Sequence, residues 1–375
     1  MVVATSAHSR GVLGLAIGQL SPPVVCSSSY DGTVKLWRLS DQGSLSLLHE
    51  IGDDSRDGAV FSLEARETGD GGLLVCAGSF SRRVRVWRCH GETSSQLKLP
   101  PELQWTSTEH TGWVRALAIG SRGRGARAPS SLYSIGCNRI LGWSLASGTT
   151  ASPRQFDSET ALYEDAACIR SKDILCLAHA DEEERLACGS VDGAVRCWST
   201  ADWAISRPLP PLRASRWYAH ADRVADVAWG ENGVLFSAGY DGFVRAWRPP
   251  DDVPSARGDD PEQEGQPAWR LLAERRVAAE GGRALALAVL PHSGEATGEE
   301  GREEVVLCGT STGEVVSLAA EDLAIDTRIP IGDSSDARVT AIVPVADRGA
   351  VVVGDSEGGL HVCDLRHISA PEDVE

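Results

Sequence analysis

The sequence contains no P-loop, no dinucleotide-binding fingerprint and no H-E-x-x-H pair, so it lacks the usual marks of nucleotide chemistry and of zinc peptidases. None of its ten cysteines stands in C-x-x-C spacing, which excludes the commonest zinc-binding frameworks. Most of them sit inside apolar runs, as Cys26, Cys76, Cys188 and Cys308 do, and read as buried reduced thiols of an intracellular protein, cytoplasmic or nuclear. No apolar run approaches the length of a membrane span; Ala284 to Leu290 is typical. The opening residues MVVATSAHSRG lack the basic-then-apolar layout of a secretory signal. Positive charge is in deficit, with 36 Lys and Arg against 53 Asp and Glu and a net charge of -17. That balance argues against a generic nucleic-acid or membrane-surface binder, both of which need a basic footprint.

The chain does contain repetition. VVCSSSYDGTVKLWR, from Val24 to Arg38, returns as LFSAGYDGFVRAWR, from Leu235 to Arg248. Five weaker copies start at Leu73, Ser131, Arg185, Val305 and Val351. The closing position falls at Trp37, Trp87, Trp143, Trp198, Trp247, Leu318 and Cys363, spaced 45 to 71 residues apart. A repeat of this size points to a solenoid, a propeller or an array. Within each copy an apolar run, a turn and an alternating run follow one another. In the first, Val34 and Leu36 share one face and Lys35 takes the other. Asp-Gly between two such runs is a strong hairpin signal, because glycine accepts positive φ without steric cost. A short apolar segment precedes each pair (Val12 to Ile17, Val224 to Trp229) and, in most copies, another follows it (Leu45 to Ile51, Trp269 to Val277). The expectation is four strands per repeat and almost no helix.

This pattern resembles the WD-repeat family of β-propellers over nearly the whole chain. The resemblance implies an all-β, seven-bladed propeller spanning 1–366, with four antiparallel strands per blade. Blade cores are expected near 12–51, 59–108, 114–156, 174–218, 224–277, 284–331 and 339–365, the last completed by 2–5 as a closing N-terminal strand. It also implies a buried tetrad in the best-matched blades: His8, Ser27, Asp31 and Trp37 in blade one, and His220, Ser237, Asp241 and Trp247 in blade five. There are departures. Each Trp is followed by Arg or Ser rather than Asp; blade two has Ser81 where Asp is expected; blade three has Cys137-Asn138 at its turn; blades six and seven lack the Trp. Two smaller β domains are the competing architecture.

In such a propeller the insertions fall in loops of one face, the bottom. Residues 249–267 and 291–304 are acidic and have the composition of disordered loops, and the tail 367–375 is short and acidic. SRGRGAR, from Ser121 to Arg127, is basic and could meet a phosphate or an acidic loop. The bland reading of all of these is solvated insertion.

Candidate chemistry is sparse. Gly309 to Gly313 spells G-x-S-x-G, but it joins strand to strand where a hydrolase needs strand-turn-helix, so Ser311 reads as a turn residue. Cys89-His90 has no companion ligands at metal spacing. Neither a cofactor, a metal site, a membrane contact nor a small-molecule substrate is expected, and the chain does not read as an enzyme.

What remains is a surface. The interaction positions that the resemblance places on the top face are Tyr30, Phe80, Val191 and Tyr240 at the turns, and Trp113, Arg115, Arg223, Arg283 and Arg338 at the start of the first strands. Aromatic and Arg side chains dominate binding energy at interfaces, and Arg grips acidic groups in bidentate fashion. The competing view is that these rings pack on neighbouring blades and the arginines pair with local acids. The leading expectation is a non-catalytic scaffold or adaptor that binds acidic or phosphorylated partner segments in a multi-subunit complex. One alternative is the substrate receptor of a cullin-type ubiquitin ligase, on the Cys363-Asp364-Leu365-Arg366 ending. Another is an RNA-associated repeat protein, using SRGRGAR and Arg82, Arg83, Arg85 and Arg88.

Overall fold

Runs rich in Val, Ile, Leu and Ala, each broken by a glycine-bearing turn, fold back on themselves seven times. The computed structural model describes residues 2–52, 58–93, 96–121, 129–136, 139–145, 163–164, 174–200, 215–248, 269–291, 304–332 and 337–365. Blade one is Val12–Gly18, Val24–Ser29, Val34–Leu39 and Leu45–Ile51. Blade two is Val60–Glu67, Leu73–Ser79, Val84–Cys89 and Glu102–Ser107, with a small extra hairpin, Gly91–Thr93 and Gln96–Leu97. Blade three is Val114–Ser121, Pro129–Gly136, Arg139–Ser144 and Tyr163–Glu164. Blade four is Ile174–Ala180, Arg185–Ser190, Ala194–Ser199 and Ser215–Tyr218. Blade five is Val224–Trp229, Leu235–Gly239, Phe243–Arg248 and Arg270–Arg276. Blade six is Ala284–Leu290, Val305–Thr310, Glu314–Ala319 and Ile325–Pro330. Blade seven is Val339–Val345, Ala350–Asp355 and Gly359–Asp364, with Val2–Ser6 as its outer strand.

All seven sheets are antiparallel and four-stranded, in simple up-and-down order. The last is closed by the first strand, which pairs from Val2 opposite Cys363 to Ser6 opposite Gly359. That pairing covers the edge of Gly359–Asp364 and gives blade seven the same four strands as the others. Helix among the described residues is limited to the 3-10 turns Glu231–Gly233 and Ala346–Arg348, and none is long and apolar enough to cross a membrane. The 114–156 span expected for blade three needs correction: its fourth strand is Tyr163–Glu164, beyond that limit. Two residues carry no alternating pattern, so no periodicity marked them. The segments 249–267, 367–375 and all but the ends of 291–304 lie outside the described residues, as do Arg122 to Arg127 of SRGRGAR.

The core is divided among the gaps between blades. Seven buried apolar clusters each draw residues from two neighbouring blades, and together they run round the ring. Every closing residue of the repeat lies in the gap toward the preceding blade. Trp37 packs against blade seven, Trp87 against blade one, Trp143 against blade two, Trp198 against blade three and Trp247 against blade four. Leu318 and Cys363 occupy the same place in blades six and seven. A single blade therefore cannot bury its own faces, which is why the motif recurs.

Polar side chains stitch the ring at several gaps. Asp226 of blade five accepts from the Leu287 N–H of blade six (2.8 Å). Arg66 of blade two donates to the Ile119 carbonyl of blade three (3.2 Å) and to Asp181 of blade four (3.3 Å). Arg348 of blade seven donates to the Ser40 carbonyl of blade one (2.7 Å).

The second-to-third-strand turns need a left-handed residue. Gly32, Gly193, Gly242, Gly313 and Gly358 supply it, at φ between 76° and 98°. Blade two places Arg82 there, at φ 67°. An L side chain in that region costs roughly 1–2 kcal/mol relative to right-handed backbone.

Candidate functional site

Beneath the top face, polar ties hold the turns. In blade one Trp37 Nε1–H donates to Ser27 Oγ (2.8 Å), which lies 2.8 Å from His8 Nε2. His8 Nδ1–H donates to Asp31 (3.0 Å). A carboxylate only accepts, so the proton sits on Nδ1 and Ser27 donates to Nε2. Burial lowers the pKa of His8 despite the neighbouring Asp31, which favours this neutral form. Burial pushes the Asp31 carboxyl up, but bonds from Thr33 and His8 outweigh it and hold the group below its usual value. Blade five repeats the pattern: Trp247 to Ser237 at 2.9 Å, His220 to Ser237 at 2.8 Å and His220 to Asp241 at 2.9 Å. Blade three keeps His110, Ser134 and Trp143, with both bonds at 2.8 Å.

The top rim is built on these turns. In each blade the ladder between the first two strands skips one residue right after it begins, for example between Val60 and Ser62 and between Val114 and Ala116. A bulge of this kind re-aims the skipped side chain. The seven skipped residues are Leu13, Phe61, Arg115, Leu175, Ala225, Leu285 and Thr340, all half-buried. The residue after the second strand then bonds back to the residue before the first. Tyr30 N–H donates to the Gly11 carbonyl (3.0 Å), Phe80 to Ala59 (2.8 Å), Tyr240 to Arg223 (2.9 Å), Ser311 to Arg283 (3.0 Å) and Ser356 to Arg338 (2.9 Å). Turn and strand-start residues are thus held side by side.

Two patches result. On blades one to three, Phe80 and Trp113 stack with centroids 4.7 Å apart, and Phe61 stacks on Trp113 at 5.8 Å. Tyr30 meets Phe61 edge-on at 6.0 Å. Tyr30, Phe80 and Trp113 remain 46%, 46% and 41% exposed although all three pack on Phe61. Arg115 lies over Trp113 (5.1 Å) and Phe61 (5.8 Å), and Arg10 over Tyr30 (5.6 Å). On blades five and six, Tyr240 is flanked by Arg283 (4.7 Å) and Arg223 (5.8 Å). Val191 is half-buried in the blade-four turn and Arg338 is exposed beside Ser356; neither makes one of these ring contacts. Phe61 and Arg10 were not among the residues the sequence singled out.

Four other exposed apolar side chains have a structural account. Leu47, Leu103, Leu271 and Ile325 lie on the outer strands directly opposite Trp37, Trp87, Trp247 and Leu318, which they shield. The top-face rings cover no such partner.

The arginines also divide. Arg66, Arg88, Arg196, Arg245, Arg328 and Arg348 pair with carboxylates. Arg10, Arg82, Arg115, Arg223, Arg283 and Arg338, all on the top rim, form no salt bridge among the described residues. The four arginines of blade two therefore do not form one patch: Arg82 is exposed at the turn, Arg88 pairs with Asp70 (2.8 Å) and Arg85 faces the gap toward blade one. Ser311 serves the turn, its Oγ accepting from the Arg283 N–H (2.9 Å). Cys363 is buried and paired to the closing strand. The eight described cysteines are buried and unpaired, with burial pushing Cys89, Cys188, Cys197 and Cys363 up to about 12. Among the described residues no group of three or more His, Cys, Asp or Glu could hold a metal ion.

Residues 2–38, 167–199 and 213–248 match the WD40 family (WD domain, G-beta repeat). These stretches are the closing strand with most of blade one, the four strands of blade four and the three inner strands of blade five. The chain is also 25% identical over 277 residues to a protein of Chlamydomonas reinhardtii named Ribosome biogenesis protein WDR12 homolog. The alignment covers 60% of this chain and 60% of that relative's length. The chain thus forms a seven-bladed β-propeller closed by its first strand, with WD40 repeats found in blades one, four and five.

Proposed function

We propose that the chain is a non-catalytic interaction scaffold whose top face docks acidic or phosphorylated segments of partner proteins. The observation that carries this is the pairing of exposed and half-buried rings with arginines that form no salt bridge among the described residues, on a protein of net charge -17. Rings supply apolar anchoring area, and free guanidinium forks supply charge-assisted, bidentate bonds to carboxylate or phosphate. Tyr30, Phe80, Trp113 and Tyr240 act as anchors in this reading, with Arg115, Arg223, Arg283 and Arg338 as anion contacts. The test is crosslinked co-purification with mass spectrometry, comparing wild type with the double variant Arg115→Glu, Arg223→Glu after the two give the same melting curve. The expected outcome is loss of the partner set in the variant. Retention at physiological salt moves the function to the bottom loops or the blade edges.

A second reading follows from the relative's name. If the kinship extends to role, this chain is an assembly factor in ribosome biogenesis, acting in the nucleus within a multi-protein particle. Co-sedimentation with ribosomal precursor particles supports it; migration solely as a free protein removes it.

A further inference from the structure

We infer that Arg82 is a partner-contacting residue, kept at a strained turn position because its guanidinium, with those of Arg10 and Arg115, holds the acidic flanks of a partner segment whose aromatic side chain seats on the Phe80–Trp113 stack. The inference rests on the top-face reading above and names the chemistry of the occupant.

Five other turns of the same chain put glycine where Arg82 stands, so the fold itself calls for glycine. The one hydrogen bond of Arg82 in this turn is from its backbone N–H to the Ser79 carbonyl (3.2 Å), and Gly32 and Gly193 make the same bond at the same distance. The side chain is exposed and forms no ion pair among the described residues. Among the described residues nothing therefore compensates for the left-handed backbone, and strain of this kind gathers at binding sites. The position is also specific. Arg82 lies two residues beyond Phe80 in the turn that carries the exposed stack. Arg115 and Arg10 stand over the rings of the same cluster.

Two guanidinium groups over the rings and a third arginine on the turn that carries Phe80 complement a short acidic segment with an aromatic residue in its middle. A long polyanion fits less well: it needs many phosphate contacts along its length, and the net charge of -17 repels it.

The experiment uses the full chain as wild type, Arg82→Gly and Trp113→Ala. The probes are a fluorescein-labelled peptide Gly-Asp-Glu-Trp-Glu-Asp-Gly, its amide counterpart with Asn and Gln for Asp and Glu, and a short oligouridylate. Melting curves and fluorescence anisotropy are read on each. Arg82→Gly is expected to raise Tm by about 1–2 °C and to weaken the acidic peptide about three- to tenfold. The amide counterpart is expected to bind weakly to all three proteins. A fall in Tm for Arg82→Gly overturns the inference, because the guanidinium would then support the fold. Peptide binding lost in Trp113→Ala but unchanged in Arg82→Gly also overturns it, and leaves the top-face reading standing. Peptide binding indifferent to both variants, or absent from the wild type, overturns both. Preference for the oligouridylate overturns the choice of a protein partner.

Discussion

Blade five and blade four have the same four-stranded order, and each sends its Trp into the gap toward the preceding blade. They differ in how the turn carboxylate is held. In blade five His220, from the link before the first strand, bonds both Asp241 and Ser237, and Arg245 adds a salt bridge to Asp241 at 2.8 Å. The Ala221 and Phe243 N–H groups also donate to Asp241. In blade four Arg170 occupies the sequence position of that histidine. Arg196 of the third strand does the work instead, only 2% exposed, donating to Ser190 (2.8 Å) and Asp192 (3.3 Å) while Ser190 donates to Asp192. A buried turn acid needs a donor or a cation beside it, but the fold is indifferent to which strand provides it. The two solutions differ in origin: the histidine comes from the link before the first strand and the arginine from the third strand.

The largest effect is expected from removing the arginine of each blade. Arg196→Met takes from Ser190 and Asp192 a shared cation that is only 2% exposed, and should cost about 3–5 kcal/mol. Arg245→Met leaves Asp241 held by His220 and two backbone N–H groups, and should cost about 1 kcal/mol. Equilibrium unfolding in urea measures both. Equal losses would break the comparison, since they would mean that the histidine carries none of the load.

In blade one the histidine should also titrate where the arginine of blade four does not. The pKa of His8 lies below its ordinary 6.5 because burial disfavours the charged ring. The unfolded chain therefore takes up a proton first as pH falls, so the contribution of His8 is complete above pH 6.5 and declines below it. The turn carboxylates add a second loss at lower pH. Burial opposes ionisation of Asp31, Asp241 and Asp355, but the bonds they accept outweigh it and hold all three below the ordinary 3.8. Their contribution is present above that value and is lost as pH falls through the lower folded values. Hydrogen exchange at stepped pH should show the blade-one turn loosening below pH 6.5 while the blade-four turn holds, and His8→Gln should flatten that step. Parallel loosening of both turns would assign the effect to the whole ring.

The strands were legible because Val34, Leu36 and their counterparts alternate with polar residues and a Gly-bearing turn separates the runs. The ties of blades one and five were legible because His8 and His220 stand at matching positions. The inward base was visible two places before every closing Trp but Trp143, as Lys35, Arg85, Arg196 and Arg245, yet its burial was not. Alternation puts Lys35 on the face opposite Leu36, but it does not say that the next link covers that face. Lys35 Nζ in fact donates to the Ala7 carbonyl at 2.9 Å. Phe61 was missed for a related reason: a bulge at the second residue of a strand turns a side chain that strict alternation would send to the core. The turn arginine of blade two was legible only as one of four charges, because positive φ leaves no mark in composition.

Blade two offers the smallest and cleanest change. It has Ala77 where blades one, three and five have Ser27, Ser134 and Ser237, the hydroxyls that join Trp to His. Ala77 pairs across the ladder with Arg85 just as Ser27 pairs with Lys35 and Ser237 with Arg245, so a hydroxyl there would start from equivalent backbone. A small cavity lies at this point, between Ala77, Ser79, Arg85 and Trp87 on one side and Gly32, Val34 and Ile51 of blade one on the other. Ala77→Ser would give the Trp87 indole an acceptor in a place with room for it. The gain should be below about 1 kcal/mol, because a neutral bond contributes little net and the hydroxyl must give up its own water. Ala77→Val separates the two causes, since it fills the same space with no acceptor. If Ser stabilises and Val does not, the missing tie is what blade two lacks. If Val matches Ser, the gap was only short of volume, and the serine of the other blades stabilises by filling space rather than by joining Trp to His.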